Sequence, residues 1–247
     1  MKISTRDLLA ELLVAALESQ SAAASLRCLV AYCRVVKKEP VAMPVDRFLL
    51  PAPEAERDGV LALLEKNALL SWDLHDKSGR VTLAPAFTPE CAEVVAKLTQ
   101  YGAALGEWVA DEAAAERTAA LRKGVLLFNH HLFFEVHEVL EAHWVKEAGE
   151  EKRFLQGLIQ IAVAFYHLGN RNLRGALSLL QDGLEKIAPH RPAFLGVELA
   201  DFMAALEAYQ AELLRLGPEG FTRFQAAMIP RMRFCQISCL RLTSCVP

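Results

Sequence analysis

Six side chains that can bind a ligand or a metal interrupt two apolar stretches between residues 128 and 168. On the first stretch, His137 and Glu141 are four residues apart, so both can reach one ion or one small molecule from a single helical face. On the second stretch, Gln156 and Gln160 have the same spacing. The complete set is His137, Glu141, Trp144, Gln156, Gln160 and His167. These residue types predict either a buried hydrogen-bonded layer or a binding site.

Helical geometry determines how the first stretch presents its polar groups. At about 100° per residue, His137, Glu141 and Trp144 fall on one line with Phe134. That line lies inside the apolar face of the predicted helix, where a core is expected. We therefore expect Trp144 to be buried, with its indole N–H hydrogen-bonded.

The second stretch carries the matching polar stripe. Gln156, Gln160 and His167 share a narrow line on a helix that is otherwise apolar. An antiparallel hairpin with a charged turn at about 147–152 would set the two polar lines face to face. Burying one line without the other would leave charges and amides without partners. The sequence thus predicts one partly enclosed pocket, for which mutual hydrogen bonding and a small polar ligand are both open interpretations.

A metal-dependent hydrolase is the alternative interpretation of the same residues. His137, Glu141 and His167 would be the ligands of a divalent metal, Zn or Mn, and Glu138 would be the catalytic base. The H-E-x-x-H helix of zinc peptidases has a similar order, but its second histidine is replaced here by Glu141. A second polar line, formed by His131, Glu135 and Glu138, is expected on the solvated surface.

The motifs of this region resemble those of the DUF309 family, small all-helical proteins marked by an H-x-x-x-E-x-x-W pattern. His137, Glu141 and Trp144 match that pattern in register, and the segment 155–160, LQGLIQ, follows in the expected order. The likeness covers residues of about 120–215. It implies a helical bundle, a candidate site and a helix break at 129–131, and it leaves the reaction open.

The whole chain is predicted to be mainly α. We expect a small helical region at 1–110, a DUF309-like bundle at 111–216 and a basic, loosely ordered tail at 217–247. The predicted bundle helices lie near 111–128, 132–146, 153–168, 172–187 and 198–216. One β-hairpin is predicted near 69–83, with its turn at 77–79.

Three helices followed by a hairpin make the N-terminal region winged-helix-like, an architecture common in DNA-binding regulators. The third predicted helix, 54–67, carries more acids than bases, and acids repel phosphate. Lys77 and Arg80 on the hairpin add little positive charge. DNA binding is thus an alternative function, and we expect nucleic acid not to be the partner.

Composition and net charge restrict the cellular compartment and the partners that we expect for the chain. Its 247 residues carry a net charge of −3, so no general basic field attracts nucleic acid. No membrane span or signal peptide is predicted. Six dispersed cysteines favour reduced thiols in a cytoplasmic protein. The sequence leaves a homo-oligomer open.

Overall fold

The structure, a computed structural model, describes residues 1–36, 39–66, 69–72, 79–220 and 228–235. The predicted hairpin turn at Lys77 and Ser78 and two tail cysteines, Cys239 and Cys245, lie outside the described residues. The chain forms two compact units, Met1–Val109 and Ala110–Pro247.

The N-terminal unit is built mainly from helices. They are α1 (Ile3–Ala16), α2 (Gln20–Cys33), α3 (Val45–Phe48), α4 (Arg57–Lys66) and α5 (Cys91–Glu107). Leucines at helical spacing, among them Leu9 and Leu13 on α1 and Leu26 and Leu29 on α2, are fully buried. Helix α2 packs against α1, α4 and α5, so it is the central element of this unit.

A small antiparallel sheet completes the N-terminal unit. Its strands are β1 (Met43–Pro44), β2 (Leu70–Trp72) and β3 (Arg80–Leu83), in the spatial order β1-β3-β2. The predicted hairpin is confirmed as the β2–β3 pair, with Trp72 opposite Val81. Strand β1, which the sequence did not predict, precedes α3 and pairs antiparallel with β3.

The C-terminal unit is the predicted bundle. Its helices are α6 (Glu116–Asn129), α7 (Phe133–Trp144), α8 (Gly149–Gly169), α9 (Leu173–Ile187) and α10 (Ala200–Gly220), the last broken at Gly217. The mainly α fold is confirmed. Among the described residues, no helix combines the length and the hydrophobicity that crossing a membrane requires.

Helix α8 begins earlier than the sequence indicated. The sequence predicted that the charged residues form the connection between the two helices. Instead, Glu150 and Glu151 lie in the first helical turn of α8, where they meet the positive end of the helix dipole. Gly149, at φ +59°, makes the turn itself. The connection between α7 and α8 is therefore short, which requires the two helices to run antiparallel.

An aromatic cluster fills the centre of the bundle. The fully buried Phe128 ring of α6 makes edge contacts with Phe133, Phe165 and Phe202, at centroid distances of 5.2, 5.5 and 5.6 Å. Edge-to-face pairs of this kind add to the free energy gained by burying the rings. The cluster ties α6, α7, α8 and α10 together.

Part of the tail differs from the loosely ordered segment expected from residue 217. Strand β6 (Arg233–Phe234) pairs with β5 (Val197–Glu198), which also pairs with β4 (Ala193–Phe194). The Asn129 side chain holds Met232 with two bonds of 2.9 Å, donating to its carbonyl and accepting from its N–H. These bonds and the pairing of β6 with β5 together hold residues 232–234 in place.

Helices α8 and α9 approach most closely at two glycines. A Cβ on Gly157 would lie 2.6 Å from Ile187 Cγ2 and 3.0 Å from the Gly183 carbonyl oxygen. A Cβ on Gly183 would lie 2.7 Å from Ile161 Cγ1 and 2.9 Å from the Gly157 carbonyl oxygen. The two helices can lie this close only because neither position carries a side chain.

The glycine contact gives a stability prediction. Gly183→Ala should lower the free energy of unfolding by about 1–3 kcal/mol, because the added methyl group overpacks the contact. The control is Gly169→Ala at the end of α8, where an added Cβ meets nothing within 4 Å. That control should be neutral or stabilise by up to about 1 kcal/mol through helix propensity. Urea denaturation measures both, and equal effects would contradict the contact.

Candidate functional site

Two connecting turns with the same backbone hydrogen-bonding pattern position the helices of the site. After α6, His131 takes φ +58°, and the N–H groups of His131 and Leu132 donate to the carbonyls of Phe128 and Leu127. After α8, Arg171 takes φ +59° and repeats this bonding pattern. Each turn satisfies the last carbonyls of its helix by the Schellman arrangement. The helix break expected at 129–131 is thus confirmed.

His137 lies between two carboxylates on α7. Its Nδ1 is 3.0 Å from Glu138 Oε1, and its Nε2 is 3.2 Å from Glu141 Oε2. Both contacts are hydrogen bonds only when both ring nitrogens carry a proton. The side chains are 29%, 43% and 48% exposed for His137, Glu138 and Glu141 respectively. The group therefore forms an acidic, half-open surface with a fixed imidazole at its centre.

Aromatic rings border one end of this surface. Phe134 stacks on the His137 ring with centroids 6.2 Å apart, and its centroid lies 6.0 Å from that of Tyr166 on α8. His167 turns towards the next connection, where its Nδ1 lies 2.9 Å from Asn172 Nδ2. Asn172 also caps α9 by accepting from the Gly175 N–H. His167 is therefore engaged by the α8–α9 turn.

Two buried polar atoms on the α7–α8 seam have no hydrogen-bond partner among the described residues. One is a donor, the indole Nε1 of Trp144, and the other is an acceptor, the amide Oε1 of Gln160. The Lys152 ammonium lies 4.6 Å from the centroid of the Trp144 ring, a cation–π contact. The expected hydrogen bond of the Trp144 indole is therefore not formed, and the residue is only half-buried.

Two side-chain contacts define the register of α7 against α8. Phe134 meets Tyr166 near one end, and Trp144 meets Lys152 near the other. His137 and Glu141 therefore run along the same stretch of seam as Gln160 and Gln156. However, the polar line borders the core and does not enter it, which corrects the expectation of a buried cluster.

The reason for this correction is Glu135, which the sequence assigned to the surface. It is 0% exposed. Helix α7 packs against both α6 and α8, so its buried arc is rotated towards Glu135 and away from Glu141. As the acidic residue in the first turn of α7, Glu135 also lies near the positive end of that helix. Only a first-turn glutamate after a predicted helix break could have signalled this placement.

The structure does not bring the predicted metal ligands together. Within the described residues, no group of three or more His, Cys, Asp or Glu side chains is arranged to hold a metal ion. His137 and Glu141 contact each other, whereas His167 faces Asn172. Glu138, the predicted catalytic base, is engaged by His137.

The sequence pattern did not indicate that a further histidine, His190, is buried. His190 is 7% exposed, stacks on Phe194 at 4.3 Å and meets the edge of Phe154 at 5.4 Å. Its Nε2 lies 3.6 Å from the exposed carboxylate of Glu150. It follows a proline at the end of α9, a position that carries no signal of burial. The contacts tie the start of α8 to β4.

Comparison with known proteins concerns this same region. The family model described as "Domain of unknown function (DUF309)" matches residues 121–179. The "Uncharacterized protein YpuF" of Bacillus subtilis (strain 168) is 39% identical over 61 residues, which are 24% of this chain and 35% of that protein. The chain thus spans about a third of the relative that it matches. The DUF309 resemblance is confirmed for residues 121–179, which include every predicted site residue, and the function of the matched proteins is uncharacterised.

The buried position of Glu135 can be tested against its exposed neighbour. Glu135→Ala should lower the free energy of unfolding by about 2–4 kcal/mol, because it removes a buried polar side chain from its surroundings. Glu138→Ala, the matched control on the same helix, should change it by less than about 0.5 kcal/mol. A loss in Glu135→Ala as small as the one expected for the control would contradict the burial of Glu135.

His131 gives a prediction for pH. Burial lowers the pKa of its imidazole, and the nearby charges of Arg231 and His130 lower it further. The folded state thus favours the neutral ring, so the free energy of unfolding should fall as the pH drops through the unfolded value of about 6.5. His131→Asn keeps a residue that tolerates positive φ and should flatten this decline between pH 7.5 and 5.5. An unchanged slope in denaturant titrations would contradict the assignment.

Proposed function

We propose that the α7–α8 hairpin is a binding module for a small zwitterionic molecule, one that carries an ammonium group and a carboxylate a few ångströms apart. The observation that carries the proposal is the pair of unpartnered buried atoms on the seam, the donor Trp144 Nε1 and the acceptor Gln160 Oε1. An unpaired buried polar group costs about 1–3 kcal/mol, so two of opposite type on one seam call for a ligand that supplies both partners.

The charges along the seam support the orientation of such a ligand. At one end, the Lys152 ammonium lies over the Trp144 ring, so a carboxylate there gains both an indole N–H and a positive charge. Towards the other end, Glu138 and Glu141 are half-exposed and flank His137. An ammonium group there gains the carboxylates and the Gln160 carbonyl. Trp144 and Gln160 are only half-buried, so small side-chain rotations make their polar atoms accessible.

Aromatic rings beside the acidic group add selectivity for a cation. Phe134 stacks on His137 and contacts Tyr166, so two ring faces border the place assigned to the ammonium group. A cation near such rings is attracted by about 0.5–1 kcal/mol at exposed sites. The metal-dependent hydrolase has less support, since His167 contacts Asn172 and does not form a ligand group with His137 and Glu141 among the described residues.

The location proposed for the protein is the cytoplasm. The described cysteines, Cys28, Cys33, Cys91 and Cys235, are free thiols. Burial raises the pKa of Cys28 to about 11 and that of Cys33 to about 12, which keeps both as unreactive thiols. Free, protonated cysteines are typical of proteins in a reducing compartment.

The ligand proposal is tested with 4-aminobutyrate, whose two charges are separated by a short apolar chain. It should raise the melting temperature of the full chain, because a ligand that binds only the folded state stabilises it. Butyrate and butylammonium, which carry one charge each, should raise it less at equal concentration. No shift with 4-aminobutyrate or with its shorter homologues glycine and β-alanine would overturn the proposal.

Variants assign the shift to the proposed groups. Trp144→Phe removes the indole N–H but keeps a ring, and Gln160→Leu removes the acceptor at similar size. Each should weaken binding by about tenfold, the value of one hydrogen bond to a charged group. Glu219→Gln changes an exposed carboxylate on α10 and should have no effect. Unchanged affinity in both site variants would show that binding, if present, occurs elsewhere.

A further inference from the structure

The N-terminal unit contains a cleft of about 450 Å³ that the sequence did not indicate. It opens between α2 and α5 and is closed at one side by the loop at Pro51. Its walls are largely apolar, formed by Val30, Ala31, Leu105 and Trp108. A volume of this size lies within the range of about 300–1,000 Å³ that is typical of small-molecule sites.

Two arginines give the cleft a positive charge. Arg27 lies on α2, and Arg34, seven residues later, is the C-cap of that helix with helical backbone angles, so the two lie on one line about 10 Å apart along the helix. Both are exposed, and neither forms an ion pair or hydrogen bond within the part of the chain that the structure describes. Among the residues that the structure describes, no carboxylate lines the cleft. Two guanidinium groups at the rim of an apolar cleft are therefore available to an anion.

Glycines of α5 leave the space that forms the cleft. A Cβ on Gly102 would lie 2.8 Å from Val30 Cγ1, so this glycine lets α5 approach α2. One turn further, a Cβ on Gly106 would meet nothing within 4 Å. The Trp108 ring beyond it is fixed, because its Nε1 donates to the Leu17 carbonyl at 3.1 Å. The two helices therefore touch at Gly102 and leave open space at Gly106. The indole ring of Trp108, held by its hydrogen bond, closes the cleft.

From these observations we infer that the cleft binds a flat aromatic dicarboxylate. The rigid indole and the aliphatic walls are complementary to a planar aromatic ring system. Such a ring system can stack on the Trp108 ring in the offset arrangement that aromatic pairs prefer. Arginine binds carboxylate through two parallel hydrogen bonds, so a ligand with an acidic group at each end can engage both Arg27 and Arg34. This site lies in the other unit from the proposed zwitterion site and does not depend on it.

The test uses naphthalene-2,6-dicarboxylate and its neutral analogue, naphthalene-2,6-dicarboxamide, titrated into the full chain by calorimetry. The dicarboxylate should bind more tightly than the dicarboxamide. Arg27→Gln and Arg34→Gln should each weaken dicarboxylate binding by about tenfold, and the double variant should bind the two compounds equally. Arg47→Gln, which changes an exposed arginine on α3, should leave the affinity unchanged.

A space-filling variant tests the cleft itself. Gly106→Leu adds a side chain where the structure has room, so the protein should fold, with the same circular dichroism spectrum, and should lose binding of both compounds. Several outcomes would overturn the inference: no dicarboxylate binding, equal binding of the two compounds by the wild type, or unchanged affinity in Gly106→Leu. A change from dimer to monomer in Gly106→Leu, measured by sedimentation, would also overturn it by showing that a second copy covers the cleft.

Discussion

The C-terminal unit depends on the contact between α8 and α9 at Gly157 and Gly183. Because each glycine faces the backbone oxygen of the other, the two helices lie closer than side chains would allow. This contact fixes the rotation of α8 about its own axis. That rotation turns Phe165 into the aromatic core and leaves Gln156 and Gln160 half-buried towards α7. The polar seam of the candidate site is thus a consequence of packing on an adjacent face of the helix, about 60–100° away from the two glutamines.

Once α8 is fixed, the aromatic core determines what α7 can bury. Phe133 of α7 packs against Phe128 and Phe165, so this edge of α7 must face inward. His137 and Trp144 then fall at the border of the buried face, and Glu141 lies beyond it. A half-exposed histidine between two carboxylates remains in contact with water, which avoids the cost of burying three ionisable groups. The fold therefore accommodates these three groups at the surface without burying their charges.

The sequence predicted the parts of this arrangement that depend on local periodicity. Bundle helices, the β2–β3 pair and the break after Asn129 follow from residue spacing, from turn residues and from the DUF309 resemblance. The burial of Glu135 does not, since it requires knowing that α7 is covered from two sides. Likewise, nothing local to residues 228–235 indicates that β6 pairs with β5 or that Asn129 holds Met232. The β5–β6 pair joins residues 35 to 37 positions apart, and the Asn129–Met232 bonds join residues 103 positions apart. Local spacing of residue types does not predict contacts over such separations.

For the candidate site, the sequence identified the seam but not the state of its groups. It predicted that two polar lines would face each other along antiparallel helices, because each was the single interruption of an apolar face. It could not show that His137 would bond to its own neighbours Glu138 and Glu141 and leave the amide of Gln160 unpaired. A rotamer choice decides that outcome: the imidazole meets two carboxylates on its own helix, so it is engaged without ordering a side chain of a second helix. As a result, the α7–α8 seam is not a closed hydrogen-bonded layer, because Trp144 Nε1 and Gln160 Oε1 have no hydrogen-bond partner among the described residues.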